Sequence, residues 1–184
     1  MMKTLVLVDE DDREVGVSEV INAHRGEGKL HRAVSVLVYR LRTVPELLIQ
    51  KRSREKLLWG GFWSNTVCTH PAPEEAPLAA ALRRLSEELG ITVGREDPVY
   101  VAPFTYHAAF SDEYSEFEYD HVFVLSWDGV PRPDPLEVSE FAWMSWSGLI
   151  NDLTVRPALY TPWFSRIVNL PQLTEYFRSL PQKV

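Results

Sequence analysis

The chain of 184 residues has a length that one domain accommodates, and it is read as a single domain spanning 1–184. Hydrophobic residues make up 45% and charged residues 24%, proportions that exclude disordered and fibrous classes. A net charge of −7 excludes a broad basic footprint for nucleic acid or anionic lipid, so any anionic ligand must meet a local cluster of Lys and Arg.

From the amino terminus, Met1-Met2-Lys3, Thr4 to Val8 and then Asp9 to Asp12 lack the layout of a signal peptide, and no apolar run reaches the roughly 18 residues of a membrane helix. The expectation is a cytoplasmic protein without a membrane partner. Leu5–Val8, the acidic turn Asp9–Arg13 and Val15–Val17 predict a hairpin. Ala33–Tyr39 is β-branched and nearly continuously apolar, the pattern of a strand buried on both faces, and it should pair with Glu46–Gln50 across the Thr43–Pro45 turn. From Pro77 to Leu89 the apolar residues Leu78, Ala81, Leu82, Leu85 and Leu89 recur at three- and four-residue steps; Pro77 suits a first turn and Gly90 a stop. Tyr100–Ala109, Tyr119–Trp127 and Phe141–Met144 read as further strands, and from Trp146 onward short helices are interrupted at Pro157, Pro162 and Pro171. Strands, a central helix, more strands and terminal helices predict an α+β fold, an α/β/α sandwich around a mixed sheet.

Chemistry-bearing residues concentrate in four places. Cys68, the single cysteine, excludes an intramolecular disulfide and a multi-cysteine zinc site; two residues on stands His70, and in extended chain both side chains leave one face. A thiol beside an acid-base or metal-bound imidazole competes here with a plainly structural pair. Glu116 and Glu118 flank Phe117, so they share a face; on a solvated edge they are ordinary, whereas turned inward they demand a raised pKa or a cation. His24 and His31 bracket a segment with two glycines, read as a loop; spacing alone admits both two imidazoles folded toward one point and, more commonly, ordinary surface histidines. On the helix, Arg83 and Arg84 lie one turn from Glu87 and Glu88, which admits intrahelical ion pairs or a Mg²⁺ and diphosphate handle.

At these residues the chain resembles a known family. Glu75, Arg83, Glu87, Glu88 and Gly90 fall on the Nudix box, but Thr69 stands at its first glycine and Arg84 at the glutamate after its arginine. This altered box is a poor fit to a pyrophosphohydrolase. The run Asn65 to Pro71 instead is similar to the Asn-(Thr/Ser)-x-Cys-x-His-Pro motif of the type I isopentenyl-diphosphate isomerases, which share the Nudix fold. The resemblance extends from about His24 to Trp163 and takes in Trp59–Trp63, Tyr106, Glu116-Phe117-Glu118 and Trp163. It implies that His24, His31, His70, Glu116 and Glu118 hold one divalent metal (Mn, Zn or Mg), and that Mg²⁺ near Glu88 accompanies the substrate diphosphate. It also implies that Arg52, Lys56 and Arg83 contact that diphosphate, with Val20 where many relatives have a lysine.

The substrate implied is a small homoallylic or allylic diphosphate, with no nucleic-acid partner, handled by a monomer or weak dimer. Glu118, with Tyr106 beside it, is the candidate proton donor to the alkene; Cys68 is the candidate to take the C2 proton; and Trp163 offers an aromatic face to the carbocation. His107 and His121 should be bystanders, because alternation turns them from Tyr106 and Glu118. Two other readings stay open: a Nudix-type diphosphate hydrolase working from Glu87 and Glu88, which would not need Cys68, and a non-catalytic metal- or diphosphate-binding module.

Overall fold

Short turns and strand-forming residues build the first elements in order. β1 (Thr4–Val8) and β2 (Glu14–Glu19) pair antiparallel as the predicted hairpin, and a short helix α1 (Val20–His24) follows. The computed structural model describes residues 4–180, so the Met1-Met2-Lys3 lead of the amino-terminal reading lies outside the described residues. His24 therefore closes a helix instead of lying in the 24–31 loop, while His31 opens the next strand. β3 (His31–Leu41) and β4 (Pro45–Arg52) pair antiparallel, as their composition predicts, but each extends further than the apolar run.

β5 (Trp63–Ser64), β6 (Val67–Thr69) and the helix α2 (Pro77–Leu89) come next. α2 has the predicted bounds: proline sits in its first turn, and Gly90 closes it at φ 65°, with its N–H bonded to the carbonyls of Leu85 and Ser86. β7 (Val99–Ala109), β8 (Ser115–Ser126) and β9 (Val138–Ser145) complete the strands. β8 starts four residues before Tyr119, its expected start, so Glu116 and Glu118 lie within a strand. The carboxyl-terminal helices α3 (Trp146–Val155), α4 (Pro162–Ile167) and α5 (Pro171–Ser179) are separate pieces, and the prolines at 162 and 171 open helices. A ring that lacks an N–H is harmless in a first turn and disruptive further in.

β3 is the spine of the sheet. It pairs antiparallel with β1, β4 and β6 and parallel with β8, while β7 flanks β8 and β9 flanks β4. Alternation along β3 then feeds two cores. Val34, Val36 and Val38 pack with Ala81, Leu85 and Leu89 of α2 on one face; Leu37 and Tyr39 pack with Leu149, Phe164, Ile167 and Leu173 of α3, α4 and α5 on the other. Helices thus cover both faces of a mixed sheet, the α/β/α arrangement expected, and the polar residues His31 and Ser35 of β3 lie in the α4 layer.

Candidate active site

Strand register brings the candidates together. In the β3–β8 ladder His31 is opposite Glu118; in the β7–β8 ladder Glu118 is opposite Tyr106; in the β3–β6 ladder Ser35 is opposite Cys68. One row across three strands therefore carries His31, Glu118 and Tyr106, and β6 delivers Cys68 and then His70 to its side. The two-residue spacing of Glu116 and Glu118 turns both inward, where they are 5% and 7% exposed. Buried carboxylates so close demand cations, and the imidazoles of His24, His31 and His70 are there to share one.

One ligand atom from each of His24, His31, His70, Glu116 and Glu118 lies within 4.8 Å of all the others. The Nδ1–H of His24 donates to the Val20 carbonyl at 2.7 Å and that of His31 to the Lys29 carbonyl at 2.7 Å. Each backbone acceptor fixes the tautomer and leaves Nε2 with a free lone pair pointing inward. His31 Nε2 is 3.2 Å from His70 Nε2, and His70 Nε2 is 2.8 Å from Glu118 Oε1. Glu116 Oε2 is buried and, although His24 Nε2 is 2.8 Å away, the two do not meet in hydrogen-bond geometry. Bare imidazole nitrogens and an orphaned carboxylate oxygen fit a divalent cation, whose ligands at about 2.0–2.2 Å from the ion lie about 3–4 Å apart. Electrostatics agree with that crowding. Burial lowers the His24 pKa, but the adjoining Glu116 more than compensates and raises it to about 9, so a cation bound there would displace a proton from His24 Nε2; burial prevails at His70 and pulls it to about 3.

Next to this cluster lies the thiol. The Cys68 S–H donates to Asn65 Oδ1 at 2.8 Å, and the Trp163 indole N–H donates to Cys68 Sγ at 2.9 Å. Asn65 is itself locked, its amide donating to the carbonyls of Val67 at 2.8 Å and Val36 at 3.3 Å. Ser64 Oγ is 3.4 Å from the sulfur and 3.0 Å from the Thr161 hydroxyl. Burial pushes the thiol up to about 12 even though the Arg52 charge pulls it down. Across the cavity the Tyr106 hydroxyl donates to Glu118 Oε2 at 2.6 Å; burial and then the Glu118 charge hold it protonated well above its ordinary range. Burial opposes ionisation of Glu118, but the adjoining His31 and His70 imidazoles, His70 at 2.8 Å, outweigh it and hold the carboxyl well below its ordinary range. A pocket of about 40 Å³ touches Cys68, Glu118, Trp163 and Arg52 together.

A second cavity of about 130 Å³ adjoins it, sharing Arg52, Cys68, His70 and Glu116 with the first and adding Lys56, Arg84 and Val20 to its walls. Here the expectation for Arg83 is corrected. Arg83 turns outward to Glu75 at 2.7 Å and Glu87 at 3.2 Å, whereas Arg84 lines the cavity. Successive helical residues point about 100° apart, and position 84 shares the phase of Ala80, Ala81 and Leu85, the buried face of α2. Glu88 shares that face, is 1% exposed, and receives Arg84 Nη2 at 2.6 Å and Nε at 3.0 Å. Arg84 thus occupies Oε1 of Glu88, while Oε2 accepts from Gln50 Nε2 at 3.3 Å. Arg52 differs from Arg84: its Nη2 donates to the Leu58 carbonyl at 3.1 Å, its buried Nε has no hydrogen bond, and its guanidinium lies 5.3 Å from the Trp163 ring centroid. The N–H edge of Trp163 thus meets the thiol and one face of its ring meets Arg52. His121 bonds Asp12 at 2.9 Å and His107 bonds the Glu27 carbonyl at 2.8 Å, both away from the cluster as expected.

Sequence reasoning missed Asn65 as a hub, Arg84 as a wall residue and Asp120, which continues the inward row of Glu116 and Glu118 and accepts from Ser35 Oγ at 2.7 Å. The two-residue spacing would have found Asp120, and the phase of α2 would have found Arg84. No helix among the described residues is long and apolar enough to cross a membrane.

Residues 29–164 match the NUDIX domain model. An isopentenyl-diphosphate Delta-isomerase of Nocardia farcinica is 42% identical over 165 residues, 89% of this chain and 91% of the relative. One from Halorhodospira halophila is 42% identical over 171 residues, 91% and 94% of the two chains. Among solved structures, one from Deinococcus radiodurans superposes with a TM-score of 0.73 at 21% identity, over 90% of this chain and 97% of that one. A MutT protein from Methanosarcina mazei gives a TM-score of 0.61 at 18% identity, over 81% and 93%.

Proposed function

This chain belongs to the isopentenyl-diphosphate Delta-isomerases of the Nudix domain family, and we propose that its two adjoining cavities divide the work on isopentenyl diphosphate between them. The enzyme converts isopentenyl diphosphate to dimethylallyl diphosphate: a proton adds to the terminal methylene carbon, C4, leaving a tertiary cation at C3, and loss of a C2 proton sets the new double bond. The observation that carries the division is the pairing, around one 40 Å³ pocket, of a proton held on Tyr106 against Glu118 and a thiol held by Asn65 and Trp163.

In this reading the Tyr106 proton passes by way of Glu118 to C4, Cys68 as thiolate receives one from C2 on the opposite face, and the proton that Cys68 first sheds to the surroundings is matched by the one Tyr106 regains from them. The thiol is protonated at rest, so it must lose its proton to the surroundings before it acts as base; the Arg52 charge and the Trp163 N–H both favour the thiolate. Desolvation guards the cation, since water would trap it as an alcohol. Arg52, Lys56 and Arg84 supply the positive wall for the diphosphate, in place of the expected Arg83. His24, His31, His70, Glu116 and Glu118 would hold a divalent ion, Mn, Zn or Mg, which when bound supplies Lewis acidity to its ligands. Mg²⁺ entering with the diphosphate would find Glu88 Oε2, the oxygen that Arg84 does not occupy. Cores on both faces of a single sheet support one domain.

The test is steady-state turnover of isopentenyl diphosphate by metal-loaded protein, with pyrophosphate and phosphate release followed in parallel. Dimethylallyl diphosphate without released phosphate is expected. Phosphate release without isomer would replace this reading with the hydrolase.

A further inference from the structure

The basic wall contains a carboxylate that no motif pointed to. Glu137, just ahead of β9, does not line the 130 Å³ cavity, yet its Oε2 receives both Lys56 Nζ and Arg84 Nη2, the latter at 3.0 Å. Three segments far apart in the chain meet at that one oxygen. The backbone ties the arrangement down: the Ser53 N–H donates to the Glu137 carbonyl at 2.9 Å, the Glu137 N–H donates to the Asp134 carbonyl at 3.0 Å, and the Lys56 N–H donates to the Ser53 carbonyl at 3.2 Å. The segment carrying Arg52 and Lys56 is thus anchored to the very residue that pairs with its lysine. With a side chain 25% exposed, Glu137 is partly shielded from the solvent screening that makes open surface pairs weak.

Resting on the isomerase reading, we propose that Glu137 is a positioning residue for the substrate diphosphate, holding Lys56 and Arg84 side by side as a preformed pair of cations. Two like charges placed together repel, and a lysine stem carries large rotamer freedom. Arg84 has two further anchors, Glu87 at 2.9 Å and Glu88 at 2.6 Å. Lys56 has Glu137 as its carboxylate partner among the described residues. Loss of the Glu137 charge would leave Arg84 on α2 and release Lys56 to solvent. The diphosphate would then have to order the lysine on arrival, a cost that falls on capture and not on the proton transfers at the other cavity. Val20 heightens the dependence, because an apolar side chain occupies a place in this wall.

The experiment compares full-length, metal-loaded wild type with Glu137→Gln and Glu137→Asp, by kinetics with isopentenyl diphosphate and by calorimetry with inorganic pyrophosphate and Mg²⁺. For Glu137→Gln, KM and the pyrophosphate Kd should both rise on the order of tenfold while kcat stays within about twofold, the signature of lost uniform binding. Glu137→Asp, which keeps the charge, should recover part of that loss. In a Lys56→Met background Glu137→Gln should have a much smaller effect, since the partner it positions is gone. Unchanged KM and Kd, a fall in either (an internal competitor for the cations), or a drop in kcat alone would overturn the proposal; so would a Glu137→Asp variant no better than Glu137→Gln. The pyrophosphate arm reads out even if wild type does not isomerise, so failure of the isomerase reading and failure of this inference are separable.

Discussion

The Cys68 sulfur takes an indole N–H at 2.9 Å while its own proton goes to Asn65 Oδ1. A donor aimed at a buried sulfur stabilises the thiolate more than the thiol, and hydrogen bonds to charged groups are worth about 1.5–3 kcal/mol. Trp163→Phe, which keeps a ring and removes the N–H, should lower kcat roughly 10- to 150-fold with little change in KM, measured by steady-state kinetics; wild-type kcat would remove the N–H from the account. Tyr106→Phe should lose more, because it deletes the proton that the Glu118 side holds. At this scale the motif residues were legible because strand alternation is strict: a Cys and a His two apart, and two Glu two apart, share a face in any extended segment. Arg83 was the misreading. Adjacent arginines are equivalent in a motif, and only the phase of α2 separates the one that turns out to Glu75 from the one that turns in to Glu88.

α2 was readable as an element because apolar periodicity, Pro77 and Gly90 agree about its face and its ends. Leu85 is fully buried against β3, and Leu85→Ala should cost about 2–5 kcal/mol in urea unfolding. Gly90→Ala meets two obstacles, a φ of 65° and a new Cβ 3.1 Å from the Arg132 Cβ, and should cost about 1–2 kcal/mol in the same measurement. β8 was harder to bound, because Glu-Phe-Glu reads as a solvated edge when buried carboxylates reverse the usual inside and outside. Only the imidazoles arriving from α1, β3 and the end of β6 reverse that sense, and their convergence is a property of the sheet. The junction of α2 with the segment before β9 makes a pH prediction. Burial raises the Glu137 carboxyl, but Lys56 and Arg84 prevail and bring it from 4.5 to about 2. A depressed carboxyl contributes stability that is complete above pH 4.5 and is lost as pH falls toward 2. Glu137→Gln should therefore flatten the acid limb of the unfolding free energy in that window; an unchanged limb would contradict the pairing.

For the molecule as a whole, the fold is a means of closing five ligands, one thiol and three cations on one end of a spine strand. The His/Glu cluster makes folding and metal binding linked equilibria, because the native state presents the complete ligand set. Metal at 100 times its Kd should add about 2.7 kcal/mol to stability, seen as a chelator-reversible rise in melting temperature that shrinks in Glu116→Gln; no shift with any divalent ion would contradict the cluster's reading. Protons should enter and leave the carbon skeleton at two opposed groups, and deuterated water makes both events visible. Metal-loaded protein and isopentenyl diphosphate, followed by NMR, should yield dimethylallyl diphosphate with deuterium in its new methyl group, and Cys68→Ala should abolish that product. Product without deuterium, or undiminished product from Cys68→Ala, would contradict the account.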